Sequence, residues 1–423
     1  MVKKIFLLVA IGCLFFANGE ANESFSLSGY VKSFLMVFDM PSTLQEGLST
    51  DTPPLGAVHN RLRLKVSYTP SPWLAVHAAY DVSPRIQDPL FFRESIYFST
   101  LSPPSYRAYD FDSRLYPAEG AEVESFGLFH NLDRLDVTFK TTFGDLILGR
   151  QAIAWGSART VNPTDVVAPF AFNELDTEER RGVDAVRLRI PIGRMAELDL
   201  GIIAGHQWDM RQGAFYARGK FYLWNSDLSL LVLGFGDDLM LGFDLARSIG
   251  GAGYWLEAAY VIGGALRDPE GVGGEVSNYI RLSTGLDYSF SGSIYAFLEY
   301  HFNGAGRGES TEYSRLFSSN AYRYGSVYFV ARHYLIGGVT WQISPLIPFT
   351  GSIITNLNDG SFILVPRIEY NLAENVYLAA GAFWGVGKGP ELRPVEPESA
   401  IYSLRSEFGA YPRTLFTSFR IYF

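Results

Sequence analysis

Three cationic side chains stand at every second position of one short segment. Arg61, Arg63 and Lys65 alternate with leucine and valine residues. In a β-strand, this spacing puts the cations on one face and the apolar side chains on the other. Such a face could be the solvated side of a soluble sheet, or it could attract anions inside a water-filled barrel. We favour the barrel lumen.

Charged residues also occupy every second position in many later segments. When each segment is assigned one inward and one outward face, these charged residues fall on the inward face. Cations of the early strands would form a basic wall, carboxylates of other strands an acidic or mixed wall, and together they would set a transverse field across a pore. The predicted pore-lining residues are Arg61, Arg63, Lys65, Lys140, Arg187, Arg189, Arg218, Lys220, Asp199, Asp287, Glu299, Arg367 and Arg420, with Glu197, Asp244, Glu257, Arg281 and Glu369 on the same faces.

Covalent chemistry finds little support in the sequence. The histidines lie in separate predicted hairpins, and none stands within a catalytic motif: His59, His77, His130, His206, His301 and His333. The sequence has no phosphate loop, dinucleotide fingerprint or His-Glu-x-x-His motif. We therefore expect no enzyme, no metal and no cofactor, and an outer-membrane barrel enzyme is the least favoured class.

The amino-terminal segment has the features of a secretory signal. Lys3 and Lys4 precede an apolar run, and small residues suited to cleavage follow at Gly19 and Ala21. We predict a signal peptide over residues 1–21 and a single barrel domain over 22–423. The only cysteine, Cys13, lies in the signal; the alternative is that it is the acylated residue of a lipoprotein. If the signal that contains Cys13 is cleaved, the mature chain has no disulfide and no covalent haem attachment.

The strands that must position these charges are indicated most clearly at the carboxyl end. From Leu415 to Phe423, apolar side chains occupy every second position apart from Thr417, and Arg420 lies on the other parity. This segment resembles the closing strand of bacterial outer-membrane barrels, and the resemblance implies that Phe423 is an assembly signal read by the barrel-assembly machinery. The alternative is an edge strand of a soluble sandwich.

Composition narrows the class. The chain is 48% hydrophobic with a net charge of −9, which argues against a nucleic-acid partner. Its apolar residues lie in short alternating runs, and beyond the signal no run reaches the roughly 20 residues of a membrane helix. We predict an all-β protein, a transmembrane antiparallel β-barrel of about 18 strands, with about 16 as the alternative. Short turns would face the periplasm and long loops the exterior.

One region carries recognisable motifs. Gly149-Arg150-Gln151 leads through Trp155-Gly156 to Asn162-Pro163-Thr164-Asp165, and Gly182-Val183-Asp184-Ala185 follows. These motifs resemble a group of porin-like outer-membrane proteins of Gram-negative bacteria that includes alginate-export-like proteins and the barrels of porin-cytochrome conduits. Between the motifs lies an acidic cluster that could fold inward as a constriction or remain a solvated loop: Glu174, Asp176, Glu178 and Glu179.

The sequence thus predicts an outer-membrane porin that forms a passive aqueous channel for ions or small hydrophilic solutes. The resemblance also permits an alternative, in which the barrel is the sheath of an electron conduit around a multihaem cytochrome. Expected partners are outer-membrane lipid and the barrel-assembly machinery. The sequence leaves open whether the barrels form homo-oligomers.

Overall fold

The computed structural model describes residues 24–41, 54–93, 105–110, 113–118, 120–170, 172–267, 277–395 and 399–423. The predicted signal peptide, with its alternative lipidation site Cys13, lies outside these residues. No helix among the described residues is both long and apolar enough to cross a membrane.

Eighteen antiparallel strands close into one barrel, so the predicted fold class and strand number are confirmed. The strands are β1 (Phe25–Asp39), β2 (Leu55–Ser71), β3 (Leu74–Gln87), β4 (Phe126–Lys140), β5 (Asp145–Gln151), β6 (Val183–Ile192), β7 (Ala196–Ile203), β8 (Ala214–Leu223), β9 (Ser226–Phe235), β10 (Asp238–Ile249), β11 (Ala252–Ile262), β12 (Tyr279–Phe290), β13 (Ile294–Asn303), β14 (His333–Ser344), β15 (Ile347–Asn356), β16 (Phe362–Ala373), β17 (Val376–Val386) and β18 (Arg413–Tyr422).

The barrel closes where β1 pairs with β18. Tyr30 lies opposite Tyr422, and the backbone of Phe423 exchanges two hydrogen bonds with Gly29, with N···O distances of 2.8 and 3.0 Å. Gly29 is needed there because a Cβ atom would overlap both the Phe423 ring and the carbonyl oxygen of Arg63. Phe423 is therefore part of the closure seam.

Short turns and long connections alternate around the ring and define a short-turn end and a long-loop end. The β10–β11 turn uses Gly250 and Gly251, both with positive φ (59° and 88°), as a tight hairpin of this kind requires. The connection after every odd-numbered strand lies at the long-loop end, although that between β9 and β10 has only residues 236–237. The predicted alternation of turns and loops is thus observed.

Two strands are longer than the alternation in the sequence indicates. β2 starts at Leu55, before the alternating segment that begins at Arg61, and β4 starts at Phe126. In β4 the reason is a β-bulge at Asp133, where Ala79 pairs with Arg134 while the next residue pairs with Leu132. A bulge shifts the alternation by one position, so the two halves of β4 do not read as one continuous pattern in the sequence.

Side chains of opposite parity face two different environments. The outward set is apolar and exposed over most of the barrel, as at Leu64 (41%), Ile202 (54%) and Leu415 (55%). The inward set carries most of the charge and includes every predicted pore-lining residue, because each lies on the parity of the buried wall positions. An apolar exterior around a polar interior is the pattern of a transmembrane barrel.

The interior is not uniformly polar. Toward the long-loop end, apolar side chains of several loops pack against the wall and form a hydrophobic core inside the barrel. Phe329 stacks on Tyr334 at 4.4 Å between ring centroids, and Phe172 and Phe408 pack around this pair. At this end the lumen is therefore partly filled by apolar side chains of loops that fold inward.

Candidate functional site

Five cations from three neighbouring strands meet at the closure seam. Lys32 on β1 lies directly opposite Arg61 on β2 and Arg420 on β18. Arg63 and Lys65 follow Arg61 on the same face of β2. We call Lys32, Arg61, Arg63, Lys65 and Arg420 the seam cations. The sequence analysis does not include Lys32 among the pore-lining residues, since it used only the apolar face of this strand.

Carboxylates occupy the other side of the ring. Asp244 on β10, Glu257 on β11, Asp287 on β12 and Glu299 on β13 all point inward, and we call them the wall carboxylates. In a closed ring of 18 strands, β11 lies half a ring from β2. The seam cations and the wall carboxylates therefore face each other across the lumen, as the sequence predicted for part of each wall.

Residues 152–182 connect β5 to β6, and this segment, the inward loop, runs into the lumen. Its apolar side chains are fully or nearly fully buried: Ile153 and Val166 are 0% exposed and Val161 is 1% exposed. Burial of these side chains removes apolar surface from water and stabilises the inward position. The loop contains the Trp-Gly and Asn-Pro-Thr-Asp motifs and the acidic cluster.

The acidic cluster of the inward loop contacts the seam cations. Asp176 accepts hydrogen bonds from Lys32 Nζ at 2.8 Å and from Arg61 at 3.0 Å. Glu178 binds the same Lys32 Nζ at 2.8 Å and Arg420 at 3.0 Å. These contacts neutralise cations that would otherwise repel one another at close range.

The rest of the acidic cluster divides between wall and solvent. Glu179 forms an ion pair with Lys65 and lies 3.8 Å from Arg63. Glu174 is exposed. Three of the four predicted constriction residues, Asp176, Glu178 and Glu179, thus contact cations of the inner wall.

The other end of the inward loop binds the wall carboxylates through its backbone. Glu257 accepts hydrogen bonds from the backbone N–H groups of Ser157 (3.1 Å), Ala158 (3.2 Å) and Thr164 (2.8 Å), and from the Thr164 hydroxyl (2.7 Å). Burying a carboxylate is costly unless it is hydrogen-bonded. These donors satisfy that requirement and fix the turn of the loop.

Glu299 binds the adjacent part of the same turn. Its carboxylate accepts hydrogen bonds from the backbone N–H groups of Arg159 at 2.7 Å and Val161 at 3.1 Å, and from Trp255 Nε1 at 3.1 Å. The Arg159 side chain forms an ion pair with Asp287, with an Nη2···Oδ2 distance of 2.5 Å. Two predicted pore-lining residues, Asp287 and Glu299, therefore serve to hold the loop.

The motif residues are explained by this geometry. Gly156 has φ of +107°, and a Cβ atom there would overlap the side chains of Asn162 and Glu257. Asp165 is 1% exposed and pairs with Arg180 at 2.6 Å, which ties the two halves of the inward loop together. The motif is therefore a compact turn made to fit between wall carboxylates.

Two carboxyl groups of the inward loop have altered acidity. Burial raises the pKa of Asp165 to about 6, although the Arg180 guanidinium acts in the opposite direction. Burial would also raise the pKa of Glu178, but hydrogen bonds from Lys32, Tyr422 and Arg420 outweigh it and lower the pKa below its usual value. The carboxylate at the seam is thus held in its charged form.

Arg63 lies at the centre of a buried network that the sequence did not reveal. Its guanidinium binds Asp81 at 3.1 Å and Asp133 at 2.6 Å, and its side chain is 2% exposed. Asp133 also pairs with Arg107, from the loop between β3 and β4, at 3.1 Å. The prediction that Arg63 faces water is therefore wrong, because the bulge at Asp133 turns a carboxylate onto it.

The remaining early cations do not form a uniformly basic wall. Arg187 pairs with Asp199 at 2.6 Å, and Arg189 pairs with Glu197 at 2.6 Å, each across neighbouring strands. Arg218 donates to the Ser229 hydroxyl at 2.7 Å. The predicted basic wall over these strands is wrong, since carboxylates on the same parity interleave with the cations.

The last predicted residues lie on the inner wall between these groups. Arg367 pairs with Glu369 at 2.9 Å, and Glu369 also pairs with Arg420. Lys140 and Lys220 point inward near the short-turn end and are exposed to solvent. All thirteen predicted pore-lining side chains thus share the inner face, but they differ strongly in their access to water.

Together these features define the class: a transmembrane β-barrel of the porin type, with a lipid-facing exterior and a charged interior crossed by a loop. Solved structures of outer-membrane proteins share this fold. Acinetobacter baumannii OccAB1 aligns with a TM-score of 0.55 at 11% identity, over 96% of this chain and 99% of that chain. Pseudomonas aeruginosa OccK8 (OprE) aligns with a TM-score of 0.53 at 11% identity, over 96% and 100%.

Pseudomonas aeruginosa OpdK, solved with vanillate, aligns with a TM-score of 0.50 at 11% identity, over 96% of this chain and 100% of that chain. No protein-family model and no curated protein sequence matches this chain. The expected porin-like fold is confirmed.

Proposed function

We propose that the protein is an outer-membrane porin, a passive aqueous channel for ions or small hydrophilic solutes. One observation carries this proposal: inside a closed barrel of 18 strands, polar side chains remain accessible to solvent. Lys65 is 39% exposed, Arg189 40% and His77 45%. A ring of this size is wider than one of about 8 strands, whose side chains fill the interior.

The inward loop is proposed as the constriction of this channel. It is bound at one end to the seam cations and at the other to the wall carboxylates, so it lies across the path of a solute. Accessible charges of both signs remain on the loop itself, including Glu178 and Arg159, which are 38% and 46% exposed. Paired charges of this kind favour small polar solutes over apolar ones.

The solute class follows from the charge balance. OpdK was solved with vanillate, a carboxylate. In this chain the seam cations are already occupied by Asp176, Glu178 and Glu179. We therefore propose a channel without a strong preference for anions.

The sheath function suggested by the family resemblance has less support. A multihaem cytochrome would need the centre of the lumen, where the inward loop and the apolar core around Phe329 lie. Its test is co-purification of a c-type cytochrome, seen as a Soret band. We also propose export through a cleaved signal over residues 1–21 and assembly by the barrel-assembly machinery, with β18 and Phe423 as the recognised segment.

The decisive test is single-channel recording of the refolded mature chain in a planar bilayer under a salt gradient. We expect discrete open steps and a reversal potential near zero, as paired charges imply. A folded, heat-modifiable barrel that never conducts would overturn the channel proposal. A large reversal potential toward anions would overturn only the proposed lack of selectivity.

A further inference from the structure

A serine, a histidine and a tyrosine form a continuous hydrogen-bonded chain on the outer surface of the barrel. The Ser113 hydroxyl lies 2.8 Å from His130 Nε2. The opposite ring nitrogen, His130 Nδ1, lies 2.7 Å from the Tyr80 hydroxyl. This is the order of contacts that activates a serine nucleophile: hydroxyl, imidazole base, and a third group that orients the base.

The fold brings these residues together from three segments. Ser113 belongs to a short strand, Ser113–Tyr116, that pairs with β4 near its long-loop end. In this pairing Ser113 lies directly opposite His130. Tyr80 lies on β3. The next residue on the same face of β3, Val82, is the direct partner of His130. Both pairings place the three side chains on the outward face, away from the charged lumen.

The surroundings of this group are apolar. Tyr80 lies opposite Leu64, which is 41% exposed, and Ile86 and Phe126 lie farther toward the long-loop end on the same outward face, 49% and 37% exposed. A carboxylate in the third position would be costly at such a surface. A neutral tyrosine hydroxyl can accept the Nδ1–H bond without placing a charge there.

We propose that Ser113, His130 and Tyr80 form a hydrolytic site for carboxylic esters of amphipathic molecules that reach the barrel from the surrounding membrane. This activity is independent of the proposed channel, because the site faces away from the lumen. Ser113 and His130 are the catalytic residues, and Tyr80 is a positioning residue. The sequence interpretation set His130 aside, since its partners lie in two other segments.

The chemistry balances with water as the only co-reactant. The Ser113 oxygen attacks the ester carbonyl carbon while His130 Nε2 takes the hydroxyl proton. The bond from carbonyl carbon to alcohol oxygen then breaks, and the alcohol leaves with that proton. Water next attacks the acyl carbon while Nε2 takes a proton from it. The bond from the acyl carbon to the Ser113 oxygen then breaks, Nε2 returns the proton to that oxygen, and the carboxylic acid is released.

The tautomer that this mechanism requires is compatible with the structure. Nε2 can accept the serine proton when Nδ1 carries its hydrogen and donates it to the Tyr80 oxygen. Among the described residues, the strand Ser113–Tyr116 pairs with β4 on one side only.

The test uses the refolded full-length barrel in lipid vesicles and two probes, a tagged fluorophosphonate and a medium-chain p-nitrophenyl ester. We expect fluorophosphonate to label the protein at Ser113, as mapped by mass spectrometry. Ser113→Ala should abolish labelling, and His130→Ala should lower ester turnover by about 100-fold or more, the usual contribution of a general base. Tyr80→Phe should lower kcat more than it raises KM.

A matched control exists elsewhere on the outer surface. Tyr300 and His333 repeat the tyrosine–imidazole contact, with 2.7 Å between the hydroxyl and Nδ1, and no serine is recorded within hydrogen-bonding reach of His333 among the described residues. His333→Ala should leave labelling and turnover unchanged. Absence of labelling in the wild type, or equal labelling of Ser113→Ala, would overturn the proposal. Heat-modifiable migration and unchanged conductance verify that each variant is folded.

Discussion

Lys32 Nζ lies 2.8 Å from Asp176 Oδ1, and this ion pair joins the first strand of the barrel to the loop that crosses its lumen. The Lys32 side chain is completely buried, and a second carboxylate, Glu178, binds the same nitrogen. A single cation thus holds the acidic end of the inward loop against the closure seam. The consequences of removing it can be measured.

Lys32→Met should destabilise the barrel by about 1–3 kcal/mol. Loss of one partner from a fully buried pair costs about 3–5 kcal/mol, and the effect is smaller here because Glu178 is 38% exposed and partly screened. Urea unfolding in vesicles, followed by gel mobility, measures the change. Adding Asp176→Asn should restore part of the loss, and equal stability of Lys32→Met and wild type would contradict this prediction.

Glu257→Ala should release the middle of the inward loop. The substitution leaves the buried N–H groups of Ser157 and Thr164 without their acceptor, at a cost of about 1–3 kcal/mol. A cysteine placed by Ala158→Cys then reports loop docking through its rate of reaction with a maleimide. We expect the rate to rise at least about tenfold.

The control for this measurement is Glu197→Ala. Glu197 is also an inward carboxylate, but it pairs with Arg189 of the neighbouring strand and not with the inward loop. The cysteine reaction rate should stay the same in this variant. A similar acceleration in both variants would mean that the loop is not held by Glu257 in particular.

Lys65→Glu should change ion selectivity, whereas Arg63→Met should change stability. Lys65 is 39% exposed in the lumen, so reversing its charge should move the reversal potential toward cation preference. Arg63 is 2% exposed and bound by Asp81 and Asp133, so its loss should lower stability and change selectivity little. Reversal potentials and urea midpoints of the two variants distinguish these effects, and a selectivity change in Arg63→Met alone would refute the assignment.

Acid should strengthen the closure of the loop that contains Glu407. This carboxyl group is buried against Val330 and accepts a 2.6 Å hydrogen bond from Tyr334. Burial raises its pKa from 4.5 to about 8, despite opposing hydrogen bonds. The folded loop therefore binds the proton more tightly than the unfolded chain, so its stability is greatest below about pH 4.5 and falls as the pH rises toward 8.

The measurement is maleimide reactivity of Ala410→Cys between pH 5 and 9, corrected for thiol ionisation with a small-molecule thiol. We expect the corrected rate to rise with pH in the wild-type background. Glu407→Gln cannot ionise and should give a flat profile. A pH dependence that persists in Glu407→Gln would assign the effect to another group.

The sequence was sufficient where a strand reads as simple alternation. β18 and β2 were identified because apolar residues occupy every second position, and the same parity placed Arg61 and Arg420 on the inner face. It was insufficient where contacts depend on distant segments. Nothing in the neighbourhood of Glu257 indicates that its partners are backbone N–H groups of a loop about a hundred residues earlier, and the bulge at Asp133 hides that residue from any fixed period.

The triad on the outer surface was missed for a related reason. Ser113 lies in a stretch without periodicity, and its contact with His130 exists only because a short strand adds to β4. Sequence spacing can reveal neighbours along one strand, but it cannot reveal a pairing between a loop segment and a wall strand.

The inward loop has one further consequence, which is mechanical. Two parts of the loop are bound to opposite sides of the ring: Asp176 to Lys32 on β1, and Thr164 to Glu257 on β11. A thin-walled cylinder flattens easily into an ellipse, and an internal strut across its diameter resists that deformation. The loop therefore braces the cross-section, and the Asp165–Arg180 pair joins the two halves of this brace.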